Sequence, residues 1–171
     1  IGTHDVSMMK ILLDAKVNVE QKGPNGSTPL IMAVTAPDHR HENSSGDTDR
    51  NHERHGHQLE MVELLLGAGA KINEKGYKGR DAIMEAIKSG NSKIAEMMLK
   101  NGANPNSEDT DGVTCLHLAA YSGHKNLCEQ LLAKNANKDA AVKVGPKKGF
   151  KPIDAAREGN HQNIVSLFQA N

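Results

Sequence analysis

The chain has 171 residues, and its 21 Lys and Arg are balanced by 21 Asp and Glu, so the formal net charge is zero with neutral histidines. That balance argues against an electrostatic binder of nucleic acid or acidic membranes, which needs a basic excess to neutralise phosphates. It also argues against disorder, which couples low hydrophobicity to high net charge.

Leu, Ile, Val and Phe supply 34 of the 171 residues, and the aromatics number only four, with no Trp. A core at that limit has to be assembled from small side chains packed closely. No stretch approaches 18 consecutive apolar residues, and the start at Ile1-Gly2-Thr3-His4-Asp5 lacks the basic and apolar regions of a signal peptide. An intracellular, cytoplasmic location is expected, with the nucleus left open. The start at Ile1 rather than Met leads to the expectation of a longer parent chain. Cys115 and Cys128 do not form a disulfide framework and are expected to be buried and reduced.

In chain order, the first apolar run is Met8 to Leu13, spaced as one amphipathic helix. Next comes Gly26-Ser27-Thr28-Pro29-Leu30-Ile31-Met32-Ala33, a pattern that returns at Gly79, Gly112 and Gly149. Gly79 and Gly112 are 33 residues apart. Gly26 to Gly79 is 53, which implies an insertion of about 20, and Gly112 to Gly149 is 37, which implies a hairpin about four residues longer. Fifteen residues after Gly79, Gly112 and Gly149 stand Ile94, Leu127 and Ile164, each heading a second apolar run. Two short helices per unit follow. Gly69, Gly102 and Asn135 close the second helices, where a left-handed residue is needed. Gly90, Gly123 and Gly159 sit between the two helices of their units, where the chain reverses.

These residues resemble the ankyrin repeat family over nearly the whole chain. Thr114-Cys115-Leu116-His117-Leu118-Ala119-Ala120 is similar to the family's Thr-Pro-Leu-His-x-Ala-Ala signature, and Leu65 to Asn73 to its Leu-Leu-x-x-Gly-Ala-x-x-Asn ending. Departures are local: Asp81 for Thr, Ala82 and Cys115 for Pro, and Lys16 for Gly. The resemblance implies an all-α solenoid of helix-turn-helix units joined by β-hairpin-like loops, in one domain. Its parts are a half repeat at 1–20, a repeat at 21–73 with an insertion at 37–57, and regular repeats at 74–106 and 107–139. A C-terminal capping repeat follows at 140–171. Units of this kind bury their apolar faces only against neighbours, so the edge at Ile11 and Leu12 leads to the expectation of further repeats upstream.

Pro37 to His57 has no aliphatic or aromatic side chain and contains His39, His41, His52, His55 and His57. It is expected to leave the solenoid as a solvated surface loop. Its histidine spacings suit Zn²⁺ or Ni²⁺, but a loop offers no second-shell support, so no metal site is expected. A pH response through five imidazoles is an alternative. His117 is expected to tie repeats together rather than act in catalysis, as the resemblance implies for that position. No phosphate loop, paired-carboxylate motif or nucleophile elbow is present. Neither enzyme activity nor a cofactor is expected.

The resemblance implies binding of a protein or peptide partner on a concave face made of hairpin tips and first helices. Its surface positions fall on Tyr77, Lys78, Arg80 and Lys88 in the third unit, on Asp111, Val113 and Tyr121 in the fourth, and on Lys148, Phe150 and Arg157 in the last. Three of the four aromatics stand there, and Tyr and Arg are enriched at binding hot spots. The expected function is a monomeric, non-enzymatic interaction module within a larger scaffold or signalling protein, without nucleic-acid binding or membrane insertion. The expected partner peptide has an apolar anchor and acidic flanks. The alternatives are a structural spacer between domains and a metal- or pH-responsive module through the histidine-rich insertion.

Overall fold

The structure is a computed structural model that describes residues 6–23, 25–35 and 50–170. Among the described residues it is all-helical: α1 Val6–Asp14, α2 Pro29–Thr35, α3 Arg50–Gly67, α4 Ala82–Lys88, α5 Ser92–Lys100, α6 Cys115–Tyr121, α7 Lys125–Ala133, α8 Pro152–Glu158 and α9 Gln162–Ala170. A short 3₁₀ turn at Tyr77–Gly79 precedes α4.

Each first helix starts three residues after a hairpin glycine, behind the residue at its N-cap position. Thr28, Asp81 and Thr114 accept backbone N–H bonds from Ile31, Met84 and His117 at 3.3, 3.2 and 3.4 Å. In the last unit Lys151 cannot accept, and instead its own N–H donates to Asp154 at 3.0 Å. The hairpin glycines Gly26, Gly79, Gly112 and Gly149 all have φ between 69° and 88°, which an L side chain rarely adopts. The hairpins close between positions in register: Gly76 donates to the Arg80 carbonyl at 2.7 Å, Asp109 to that of Val113 at 3.0 Å and Val142 to that of Phe150 at 2.9 Å. The last of these encloses four more residues than the others. Successive hairpins are linked by Thr110 N–H to the Lys78 carbonyl and Lys143 N–H to the Asp111 carbonyl. Pairing never extends into a strand among the described residues, where the single isolated bridge is Glu108 to Thr114.

The helices stack in two rows. First helices α2, α4, α6 and α8 lie side by side, and α3, α5, α7 and α9 back them. The core runs continuously between the rows through Leu30, Val34, Ile83, Ile87, Met98, Leu116, Leu127, Leu131 and Ile164, each at most 3% exposed. Arg157 is exposed at the position where the earlier first helices bury Ile87 and Ala120, so the last unit ends on a polar surface. Ile11 and Leu12 of α1 and Met32 of α2 are instead exposed apolar residues.

Three details differ from the sequence-based expectation. Second helices α5, α7 and α9 begin thirteen residues after the hairpin glycine, at Ser92, Lys125 and Gln162, because a first polar turn precedes the apolar run. Residues 50–57, expected in the surface loop, continue the second helix of their unit as part of the 18-residue α3. Adding residues to a nucleated helix costs little, and Arg50, Glu53 and Arg54 are good helix formers. His39 and His41 lie outside the described residues. In the last unit the left-handed residue between the helices is Asn160, with φ 60°, rather than Gly159.

Candidate partner-binding site

Between α6, α8 and the hairpin that precedes α8 lies a cleft of about 180 Å³. Val113, Leu118, Val142 and Ala155 form its apolar lining together with the ring of His117, and Tyr121 and Phe150 wall it. The tyrosine and the phenylalanine are 52% and 37% exposed, so each offers a face to solvent. Tyr121 stands there as the last residue of α6, and Phe150 stands in the hairpin before α8, which its backbone bonds to Val142 and His117 hold against α6.

His117 locks the floor. Its Nδ1 accepts from the Thr114 N–H at 3.2 Å and faces the Thr114 hydroxyl at 2.8 Å, which leaves Nε2 to donate to the Phe150 carbonyl at 3.0 Å. One imidazole therefore closes the capping box of α6 and holds the next unit's hairpin. Burial pushes its pKa below the ordinary 6.5, against the raising influence of the Phe150 carbonyl and the Asp109 and Asp154 charges. With both nitrogens engaged, the neutral ring is structural. Cys115 and Cys128 are free and buried, and burial pushes both thiols up, that of Cys128 to about 12. Neither is a nucleophile near neutral pH.

Lys147 crosses the mouth of the cleft. Its Nζ lies 2.7 and 2.6 Å from the two carboxylate oxygens of Glu158 and 5.4 Å from the centre of the Tyr121 ring. The Tyr121 carbonyl accepts from His161 Nε2 at 3.1 Å, which fixes the end of α6 against α9. Gly159 allows this contact, since a Cβ there would collide with the Tyr121 carbonyl and the His161 ring.

Of the ten residues expected to bind a partner, Val113, Tyr121 and Phe150 meet in this cleft. Lys148 is exposed on the same hairpin, and Asp111 is exposed at the tip of the preceding one. Tyr77 and Lys78 sit one unit earlier, with the lysine Nζ 5.7 Å from the tyrosine ring and Tyr77 60% exposed. Lys88 is exposed at the end of α4. Two expected cations are occupied: Arg80, only 18% exposed at its side chain, faces Asp109 at 3.4 Å and Glu85 at 3.6 Å, and Arg157 donates to Asp154 at 3.0 Å. The basic rim is thus reduced. Lys78, Lys88 and Lys148 have no ion-pair partner among the described residues. The Lys147 clamp went unforeseen because it depends on how the longer hairpin folds back.

Among the described residues no group of three His, Cys, Asp or Glu could hold a metal ion, and no helix is long and apolar enough to cross a membrane. A family model described as ankyrin repeats (3 copies) matches residues 53–143 and 83–171, and one for the single ankyrin repeat matches residues 25–77. The chain belongs to the ankyrin repeat family, whose members generally serve as protein interaction modules. No curated protein matches it in sequence.

Proposed function

We propose that this chain is a non-enzymatic module that binds a protein or peptide on the concave face formed by its first helices and hairpin tips, as part of a larger scaffold or signalling protein. The observation that carries this reading is the cleft between α6 and α8, where two of the four aromatics of the chain stand partly exposed, Tyr121 at the end of α6 and Phe150 on the hydrogen-bonded hairpin before α8. Phe168, by contrast, is buried in the core. Aromatics presented by ordered backbone lose little conformational freedom on binding and bury a large area.

The test compares the native chain with a Tyr77, Tyr121 and Phe150 triple-alanine variant in quantitative affinity capture from cell extract, after circular dichroism has shown both folded. Proteins retained by the native chain and released by the variant are the expected outcome. Identical retention would move the binding surface to the opposite row of helices or to the insertion.

A further inference from the structure

The α6–α8 cleft is small, apolar and barred by an ion pair, and these features together narrow its occupant. Its volume of about 180 Å³ is below the ~300 Å³ at which small-molecule and cofactor sites begin, and close to the ~150 Å³ cavity that takes one benzene ring. One large apolar side chain fits. The bar is Lys147, held at one end by the Glu158 carboxylate and resting over the Tyr121 face. The two partners of this pair are 51% and 39% exposed, so it is weak and readily exchanged.

An incoming side chain needs the Tyr121 face, and lifting Lys147 from it is easiest when the ligand supplies a second carboxylate. The surroundings favour the same sign. The neighbouring carboxylates Glu85, Asp109 and Asp154 are already paired, whereas Lys78, Lys88 and Lys148 have no ion-pair partner among the described residues. Asp111, exposed at the tip of the preceding hairpin, opposes them.

Resting on the interaction reading above, we infer that the cleft accepts a single Leu, Met or Phe side chain of a partner peptide that carries an acidic residue beside it. Lys147 exchanges Glu158 for that acid as the cleft fills. Tyr121 and Phe150 grip the anchor, and Glu158 is an internal competitor that keeps Lys147 in place when the site is empty. This predicts an unusual sign: removing the charge of Glu158 improves binding, because the released Lys147 no longer has to leave a carboxylate.

The probe is a random peptide library displayed on phage and selected on the native chain, followed by synthesis of the enriched peptide and of its Asp/Glu→Asn/Gln analogue. Enrichment of one large apolar residue flanked by acid is expected. Relative to the native chain, Phe150→Ala should bind the acidic peptide roughly tenfold more weakly, Lys147→Gln severalfold more weakly, and Glu158→Gln severalfold more tightly. On Lys147→Gln the peptide and its neutral analogue should bind alike, as a double-mutant cycle requires of a direct pair. Lys147 and Glu158 are both exposed, so these variants fold, and thermal melting checks it. A motif without acid, or weaker binding to Glu158→Gln, overturns the exchange. Peptides that bind undiminished to Phe150→Ala and Lys147→Gln but are lost on Tyr77→Ala overturn the cleft and leave the interaction module standing. Failure to enrich any peptide counts against both.

Discussion

His117 serves two neighbours at once, closing the cap of its own helix and holding the Phe150 carbonyl of the next unit. Because burial lowers its pKa in the folded chain while the unfolded chain titrates near 6.5, the unfolded state takes up the proton first as pH falls. The stability it contributes is complete above about pH 6.5 and is lost progressively below it, until the native ring is itself protonated. Protonation also places a hydrogen on Nδ1, where Thr114 already donates. Urea unfolding between pH 7.5 and 5.5 should show this loss, with a shallower slope for His117→Gln. That variant can still close the capping box but should be less stable at pH 7.5 without the Phe150 bond. Equal slopes would assign the pH dependence to other groups. Gly159 and Asn160 separate two reasons for a small residue. Gly159→Ala should cost about 1 to 3 kcal/mol by overpacking against the Tyr121 carbonyl despite its ordinary φ of −75°. Asn160→Gly, at φ 60°, should be tolerated within about 0.5 kcal/mol.

At the level of single elements, the cap positions show how one repeat tolerates an unusual residue. Asp81 is fully buried, caps α4, and meets the Lys75 ammonium at 3.0 Å while the Ser107 hydroxyl donates to it from the next hairpin. Thr28 and Thr114 do the same capping without a charge. Asp81→Thr should therefore change stability by less than about 1 kcal/mol, since it keeps the cap and the ion-pair partner it releases, Lys75, is 42% exposed and can be hydrated. Asp81→Ala should cost about 1 to 3 kcal/mol, because the cap is lost and the buried Ser107 hydroxyl loses its acceptor, keeping only the bond it accepts from Lys75. Thermal or chemical denaturation of the two variants distinguishes these outcomes. The repeat frame is legible in the sequence at such places: Gly79, Gly112 and Gly149 close hairpins at positive φ, and few residues other than glycine do so without strain. What is not legible is pairing between units. Arg80 and Asp109 are 29 positions apart, and only the stacking distance of successive hairpins decides that the arginine turns inward rather than toward a partner. The start of α3 is hidden for a related reason: residues 50–57 carry no apolar periodicity, and the apolar run beyond them nucleates the helix they extend.

On the scale of the whole molecule, stability is roughly a sum of units and the interfaces between neighbours, so a unit with one neighbour opens more easily than a unit with two. The central helices α4 and α6 are packed from both sides, with Ile83, Ile87, Leu116 and Ala120 inaccessible to solvent. The last unit is protected in another way, since Ile164, Val165 and Phe168 of α9 are buried while Arg157, Gln162, Asn163 and Gln169 face water. At the other end α1 leaves Ile11 62% and Leu12 42% exposed, and Lys16 closes it with φ 54°, a left-handed position that costs a lysine about 1 kcal/mol or more relative to glycine. Opening should consequently begin at α1 and proceed toward the centre. Native-state hydrogen exchange followed by mass spectrometry should find the amides of Lys10 to Asp14 exchanging fastest among the helices, those of α6 and α7 slowest, and α9 between them. Lys16→Gly should slow exchange in α1 by relieving its terminal strain and leave α6 unchanged. Protection of α1 equal to that of α6 would contradict the additive picture and imply that the exposed apolar edge is covered in solution.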